Sequence, residues 1–364
     1  MTTRTRPGGL LTLPGGTTVS RLGVGCWPIG GPAHNLGMPM GWSTADDHQA
    51  LAGLDRALDL GANLFDTADV YGHGHSEHLL GTALRGIPRG DFAVTSKVGY
   101  YTEPGTHHAM DPAHLRRRLE GTLLRLGVDH LDVYAFHNSD FGPGDVHLEG
   151  AVAALRGFQA EGLIRAVGMR GRHRFAPERR TLAPGEREDK HARFRRHFAA
   201  IRPDVLAVRD NLLTPPSATD GIREFARTHD VTVIVNKALG QGLLTGKHTP
   251  TAPPLFADGD HRRRKAWFTP PALAVLAPHL DEIRNRLGEG PQVLAHAALA
   301  HCLRRWPGAA VLTGFTTAEQ IGQNLTCDPN RLSADDLLFL TDVGQRAQQA
   351  LDQLGEVFTD EAAR

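Results

Sequence analysis

Four side chains that can transfer or orient protons lie near the ends of short apolar segments of this chain. Asp66 lies at the end of the second such segment and Tyr71 follows it, Lys97 ends the third, and His137 ends the fourth. An ammonium beside a phenol favours the phenolate and lowers the phenol pKa, and a carboxylate beside the ammonium keeps it charged. Tyr71 could then donate a proton to a carbonyl oxygen that His137 orients by hydrogen bonding. These four residues are the candidate catalytic residues.

Eight short apolar segments alternate with amphipathic segments, and we predict that they are β-strands. Each is nearly continuous in apolar residues, which is typical of strands covered on both faces of a parallel sheet. They span residues 21–26, 63–67, 92–97, 131–137, 164–169, 205–210, 231–237 and 309–313. Eight strand–helix units in one chain predict the α/β class and a closed (β/α)8 TIM barrel. Because neighbouring strands lie about 4.8 Å apart, side chains from the second, third and fourth strand ends can meet.

We expect one domain over residues 1–364, with a barrel core at about 19–325 and a C-terminal helical extension at 326–364. Extra loops follow the fifth strand, at 171–196, and the seventh, at 249–269. Both lie at the end of the barrel where TIM-barrel loops build binding sites, so a role for them in a lid or a substrate site is as plausible as a simple surface insertion. A Rossmann glycine fingerprint is missing after the first strand, where Gly23 and Gly25 have no third glycine.

The composition excludes several classes of protein. Forty basic and 40 acidic residues give a formal net charge of zero, so we expect neither a nucleic-acid partner nor a membrane surface. No apolar run approaches the roughly 18 residues of a membrane helix. The three cysteines have no metal-ligand spacing, and the histidine pairs lack a third ligand, so no metal is expected. These features predict a cytoplasmic protein.

Several stretches resemble the aldo-keto reductase family over about residues 19–325. They are residues 21–27, 66–72, 95–97, His137, 240–246 and 314–324. The resemblance implies that NADP, or possibly NAD, binds across the barrel mouth and that hydride passes between the nicotinamide and a small-molecule carbonyl or alcohol, with Tyr71 as general acid or base. The residues implied as cofactor contacts are Gly25, Trp27, Asn211, Lys237, Leu239, Gly242, Gly314, Thr316, Gln320 and Asn324. Those assigned to substrate are Trp27, Tyr100 and Arg170.

The chain departs from the family pattern at positions that usually contact the nicotinamide. The fifth strand ends in Met169-Arg170 where a Ser-Asn pair is usual, and the sixth has Ala207 and Asp210 where a Gln and a stacking Tyr are usual. Two alternatives to reduction therefore stay open. One is an enzyme with altered or absent nicotinamide chemistry, such as an isomerase or a lyase that forms a Schiff base on Lys237. The other is a non-catalytic ligand-binding subunit. No motif specifies the substrate or the oligomeric state.

Overall fold

A closed barrel of eight parallel strands forms the centre of the protein in a computed structural model that describes residues 6–100, 105–171 and 189–354. In chain order the strands are β1 (Leu10–Thr12), β2 (Thr18–Ser20), β3 (Leu22–Gly25), β4 (His34–Asn35), β5 (Met38–Pro39), β6 (Leu64–Asp66), β7 (Ala93–Val98), β8 (Leu131–Phe136), β9 (Ile164–Arg170), β10 (Val205–Arg209), β11 (Thr232–Asn236) and β12 (Ala309–Gly314). Strands β3 and β6 to β12 make the barrel, which closes where β12 pairs with β3. The predicted (β/α)8 barrel is confirmed, and each of the eight predicted strands ends within one residue of its observed bounds.

Ten helices of the described residues surround the barrel and the loops at its mouth. They are α1 (Asp47–Asp59), α2 (His75–Leu84), α3 (Pro112–Leu126), α4 (Leu148–Ala160), α5 (Lys190–Ile201), α6 (Pro216–Thr228), α7 (Pro270–Leu287), α8 (Val293–Arg305), α9 (Ala318–Leu325) and α10 (Ala334–Asp352). Local sequence fixes several of their ends. The carboxylate of Asp111, for example, accepts hydrogen bonds from the first turn of α3, which begins with Pro112.

Two apolar layers hold the fold together. The larger layer lies between the strands and the helices, and the smaller one fills the barrel interior with residues such as Leu64, Val133 and Ile234. The hairpin of β1 and β2 adds Leu13 and Val19 to the smaller layer. This hairpin, which the sequence patterns did not predict, therefore extends the barrel core.

The two extra loops and the C-terminal extension are described to different extents. Most of the predicted loop 171–196 lies outside the described residues, and its end forms the start of α5. The loop 249–269 is described and contains two short 3-10 turns, His261–Arg264 and Ala266–Phe268. Helix α10 packs against α7 and α8, whereas residues 355–364 lie outside the described part. No helix in the described ranges has both the length and the apolar character needed to cross a bilayer.

Candidate active site

A cavity of about 830 Å³ lies at the carboxyl ends of the barrel strands. Its wall includes all four candidate catalytic residues and all three candidate substrate contacts. This is the end of the barrel at which TIM-barrel enzymes place their active sites. Predicted site residues from distant parts of the chain thus meet at one surface.

An ion pair between β6 and β7 forms the floor of the site. The Lys97 ammonium donates hydrogen bonds of 2.6 Å to Asp66 Oδ2 and of 2.6 Å to the Thr67 carbonyl oxygen. The Thr95 hydroxyl donates to the second carboxylate oxygen, Asp66 Oδ1, at 2.6 Å. Thr95 pairs with Asp66 across the two strands, and Lys97 lies two residues further along the same face. Each charge is therefore buried with a fixed partner.

Tyr71 lies directly above this ion pair, in the turn that connects β6 to α2. The Lys97 ammonium is 5.1 Å from the centre of the Tyr71 ring. The ring also stacks on Trp27, with 5.8 Å between ring centres. The phenol is thus close to both an ammonium and an aromatic side chain.

The pKa of Tyr71 differs in direction from the sequence expectation. Burial raises it above its usual value of 10, and the charge of Lys97 offsets only part of the rise. Burial also opposes the charge of Lys97, but Asp66 and Tyr71 outweigh it and raise the pKa of Lys97. The expectation of a lowered Tyr71 pKa is therefore wrong for the free protein, because it left out the depth of the site. Near neutral pH the site holds a neutral phenol beside an ammonium.

His137 completes the cluster from the end of β8. Its backbone N–H donates to the Val98 carbonyl oxygen at 2.8 Å, which fixes the residue beside β7. The imidazole lies edge-on to Tyr71, with 5.6 Å between ring centres, and edge-on to Tyr100 at 4.8 Å. A carbonyl oxygen held between the phenol and the imidazole can therefore receive a proton from one and a hydrogen bond from the other.

The residues implied as cofactor contacts surround the rest of the cavity, with one exception. Those that line it are Gly25, Trp27, Lys237, Leu239, Gly242, Gly314, Thr316, Gln320 and Asn324. The exception is Asn211, which lies behind the wall and donates a hydrogen bond of 3.3 Å to the Lys237 carbonyl oxygen. Asn211 can thus position the loop after β11, but it does not face the cavity.

Side chains that the sequence patterns did not single out make the same wall suited to a polar ligand. The Asn236 carboxamide oxygen and both polar atoms of the Gln241 carboxamide are buried without a hydrogen-bond partner among the described residues. The backbone at Gly240, Gln241 and Gly242 has positive φ, and the Lys247 side chain packs beside Gly242. Amides and an ammonium around such a turn fit a cofactor that carries a carboxamide and phosphates. Asn236 shares the inward face of β11 with Ile234, so strand alternation could have identified it.

A roof over the site joins the loop after β3 to the loop after β11. The backbone N–H of Gly41 donates to the Gly259 carbonyl oxygen at 2.9 Å, and the Ser43 hydroxyl donates to Asp260 at 2.8 Å. The His261 ring lies 4.1 Å from that of Trp27, between ring centres. Burial lowers the pKa of His261 well below its usual value, so this ring is neutral. Part of the loop 249–269 therefore lines the site.

The residues that depart from the family pattern differ in whether they line the cavity. Arg170 and Ala207 line the cavity, whereas Met169 is buried away from it. Asp210 also lies outside the cavity, where it accepts a hydrogen bond of 2.6 Å from the Trp306 indole. Asp210 therefore brings no charge to the cavity, and Arg170 is the departure that does.

These features agree with the comparison to known proteins. The chain belongs to the aldo/keto reductase family, whose model matches residues 21–342, and it is an oxidoreductase of that type. Members of this family use nicotinamide cofactors and act on small carbonyl compounds.

Three relatives show how far this similarity extends. The NADH-specific methylglyoxal reductase of Escherichia coli is 26% identical over 355 residues, covering 93% of this chain and 99% of that protein. An uncharacterized oxidoreductase of Mycobacterium tuberculosis is 30% identical over 332 residues, covering 90% of each chain. The solved structure of a glycerol dehydrogenase from Gluconobacter oxydans is 25% identical, with a TM-score of 0.69 and coverage of 98% of both chains.

Proposed function

We propose that the protein reduces the carbonyl group of a small molecule, or oxidises the corresponding alcohol, with a nicotinamide cofactor and with Tyr71 as general acid or base. The observation that carries the proposal is the cluster of Tyr71, Lys97, Asp66 and His137 at the base of one large cavity. Single residues of this kind at strand ends are often structural. Their convergence on one point is what supports catalysis.

The protein residues handle the proton in this reaction. A reduced nicotinamide, when bound, supplies the hydride for the carbonyl carbon. As charge develops on the carbonyl oxygen, Tyr71 gives its proton to that oxygen and His137 donates a hydrogen bond to it. The Lys97 ammonium stabilises the phenolate that remains, and Asp66 holds Lys97 charged and in place. In the direction of oxidation, the same phenolate accepts the proton of the alcohol.

The cofactor we propose is NADP, with NAD as the alternative. Lys247, Arg264 and Lys265 line the cavity, and such a basic wall suits a ligand with several phosphates. The Escherichia coli relative is named as NADH-specific, so both nucleotides must be tested. The three cysteines are all buried free thiols, which supports the further proposal that the protein works in the reducing environment of the cytoplasm.

Titration with NADH and NADPH, followed by turnover, tests the proposed function. We expect binding to quench or shift the fluorescence of the nucleotide. We also expect the absorbance of the reduced nucleotide to fall when a carbonyl compound is added. The absence of both binding and turnover with either nucleotide would refute the proposal. Borohydride added with substrate provides a control, since a mass increase on Lys237 would instead indicate a lyase that forms a Schiff base.

A further inference from the structure

Arg170 is the last residue of β9 and faces the cavity beside the proposed catalytic residues. Met169, which precedes Arg170 on β9, pairs in register with Phe136, which precedes His137 on β8. His137 and Arg170 are therefore neighbours on adjacent strands, about 4.8 Å apart along the direction of the hydrogen bonds. The guanidinium also donates a hydrogen bond of 3.4 Å to the His137 carbonyl oxygen. This arrangement places the positive charge of Arg170 next to the site of the proposed proton transfer.

The surroundings of Arg170 leave its charge available to a ligand. No carboxylate of the described residues lies within ion-pair distance of it, although many other arginines of the chain have such a partner. On β10 the residue in register with Arg170 is Ala207, whose methyl group leaves space in front of the guanidinium. Within the described part of the chain, one hydrogen bond from the guanidinium is seen, to the His137 carbonyl oxygen, which leaves most of its five N–H groups for an acceptor from the cavity.

The charges of the whole cavity wall also favour an anionic ligand. Among the described residues its wall carries six lysines and arginines but a single carboxylate, that of Asp66. Lys97 neutralises that carboxylate at 2.6 Å, so the remaining basic groups have no acidic counterpart in the wall. A phosphate-bearing cofactor accounts for the basic residues of the loop after β11. Arg170 belongs to a different strand, β9, which β10 separates from β11, and it lies next to His137.

We propose that the substrate is a 2-oxo acid whose carboxylate is bound by Arg170 while its carbonyl oxygen lies between Tyr71 and His137. This inference rests on the proposed function, since it names the substrate class of the same site. An arginine binds a carboxylate through two parallel hydrogen bonds, a geometry that a neutral carbonyl compound cannot reproduce. Because Arg170 and His137 are direct neighbours, the carboxylate must lie within one or two bonds of the reacting carbonyl. The relatives named above act on methylglyoxal and glycerol, which carry no such group.

The test compares a charged substrate with its neutral ester. Pyruvate and methyl pyruvate share the reacting ketone, and the expected kcat/KM of the wild-type protein is at least 10-fold higher for the acid. Arg170→Met should lower this acid-to-ester ratio by about 10- to 100-fold, the range of one or two hydrogen bonds between charged groups. Arg170→Lys should restore part of it. Arg209→Met is the matched control, since Arg209 ends the next strand outside the cavity, over the Trp267 ring, and should leave the ratio unchanged.

A binding experiment makes the result independent of turnover. Oxamate should bind the wild-type protein more tightly than its neutral ethyl ester in calorimetry, and Arg170→Met should abolish the difference. An acid-to-ester ratio near one, or a ratio that Arg170→Met leaves intact, would overturn the inference, as would a variant whose main defect is weaker NADPH binding. Reduction of neutral carbonyls alone would refute the 2-oxo acid and keep the proposed function. Oxamate binding that depends on Arg170, without any nicotinamide turnover, would refute the proposed function and keep the anion site.

Discussion

Replacing Tyr71 with phenylalanine tests the proposed proton transfer most directly. The variant keeps the ring that stacks on Trp27 and removes the hydroxyl. A positioned general acid contributes about 10²- to 10⁴-fold to the rate, which corresponds to about 2.7–5.4 kcal/mol of transition-state stabilisation. The fold should change little, because the ring is kept and Lys97 keeps its hydrogen bonds to Asp66 and Thr67.

The assay measures kcat by loss of NADPH or NADH absorbance, the cofactor dissociation constant by fluorescence, and the melting temperature. We expect kcat to fall by about 10²-fold or more, with cofactor affinity and melting temperature close to those of the wild type. A variant that retains more than about a tenth of the wild-type kcat would remove Tyr71 from the proton-transfer step.

Tyr134→Phe is the matched control for that experiment. Tyr134 is fully buried on β8, does not line the cavity, and its hydroxyl has no hydrogen-bond partner among the described residues. Removing a buried, unsatisfied hydroxyl should keep the activity and leave stability unchanged or raised by about 1 kcal/mol. A loss of activity as large as that of Tyr71→Phe would show that the assay reports general damage.

Three further predictions concern the ion pair, the pH dependence and the C-terminal helix. Lys97→Met should abolish turnover and lower the melting temperature, because it leaves Asp66 buried without its cation, at a cost of about 3–5 kcal/mol; adding Asp66→Asn should restore stability but not activity. Burial raises the pKa of Tyr71 above 10, so the protonated phenol persists to higher pH. The rate of reduction should therefore not fall through loss of this proton donor below about pH 10. A Tyr71-dependent fall in rate near pH 8 would contradict this. Gly344→Ala should lower the melting temperature by placing a methyl group against the Leu212 carbonyl oxygen, an overpacking that costs about 1–3 kcal/mol.

The barrel and the meeting of the four candidate catalytic residues at one cavity could be predicted because both depend on local features of the sequence. Strands buried on both faces must be apolar throughout, so each is visible as a run such as that of β7 or β8. Asp66, Lys97 and His137 were found since they interrupt or end such runs. Topology then requires that consecutive strand ends be neighbours in space.

The remaining features depend on contacts that no local pattern contains. The roof rests on backbone pairing between Gly41 and Gly259, which are far apart in the chain. The side chain of Asp210 turns away from the cavity because Trp306, on the segment after α8, provides its partner. The direction of the Tyr71 pKa shift depends on the depth of the cavity, and a sequence records the residues but not how deeply they are buried.

The lysines of the chain have an unusual distribution. Of the five in the sequence, four line the cavity, namely Lys97, Lys237, Lys247 and Lys265. Burial lowers the pKa of Lys247, so more of it is uncharged and nucleophilic at neutral pH, whereas Lys97 is held as a cation by its carboxylate. Four of the five lysine amines that an acylating reagent could modify therefore lie around one cavity. Mass spectrometry of a lightly labelled sample would report occupancy directly, because a bound molecule would shield those amines from the reagent.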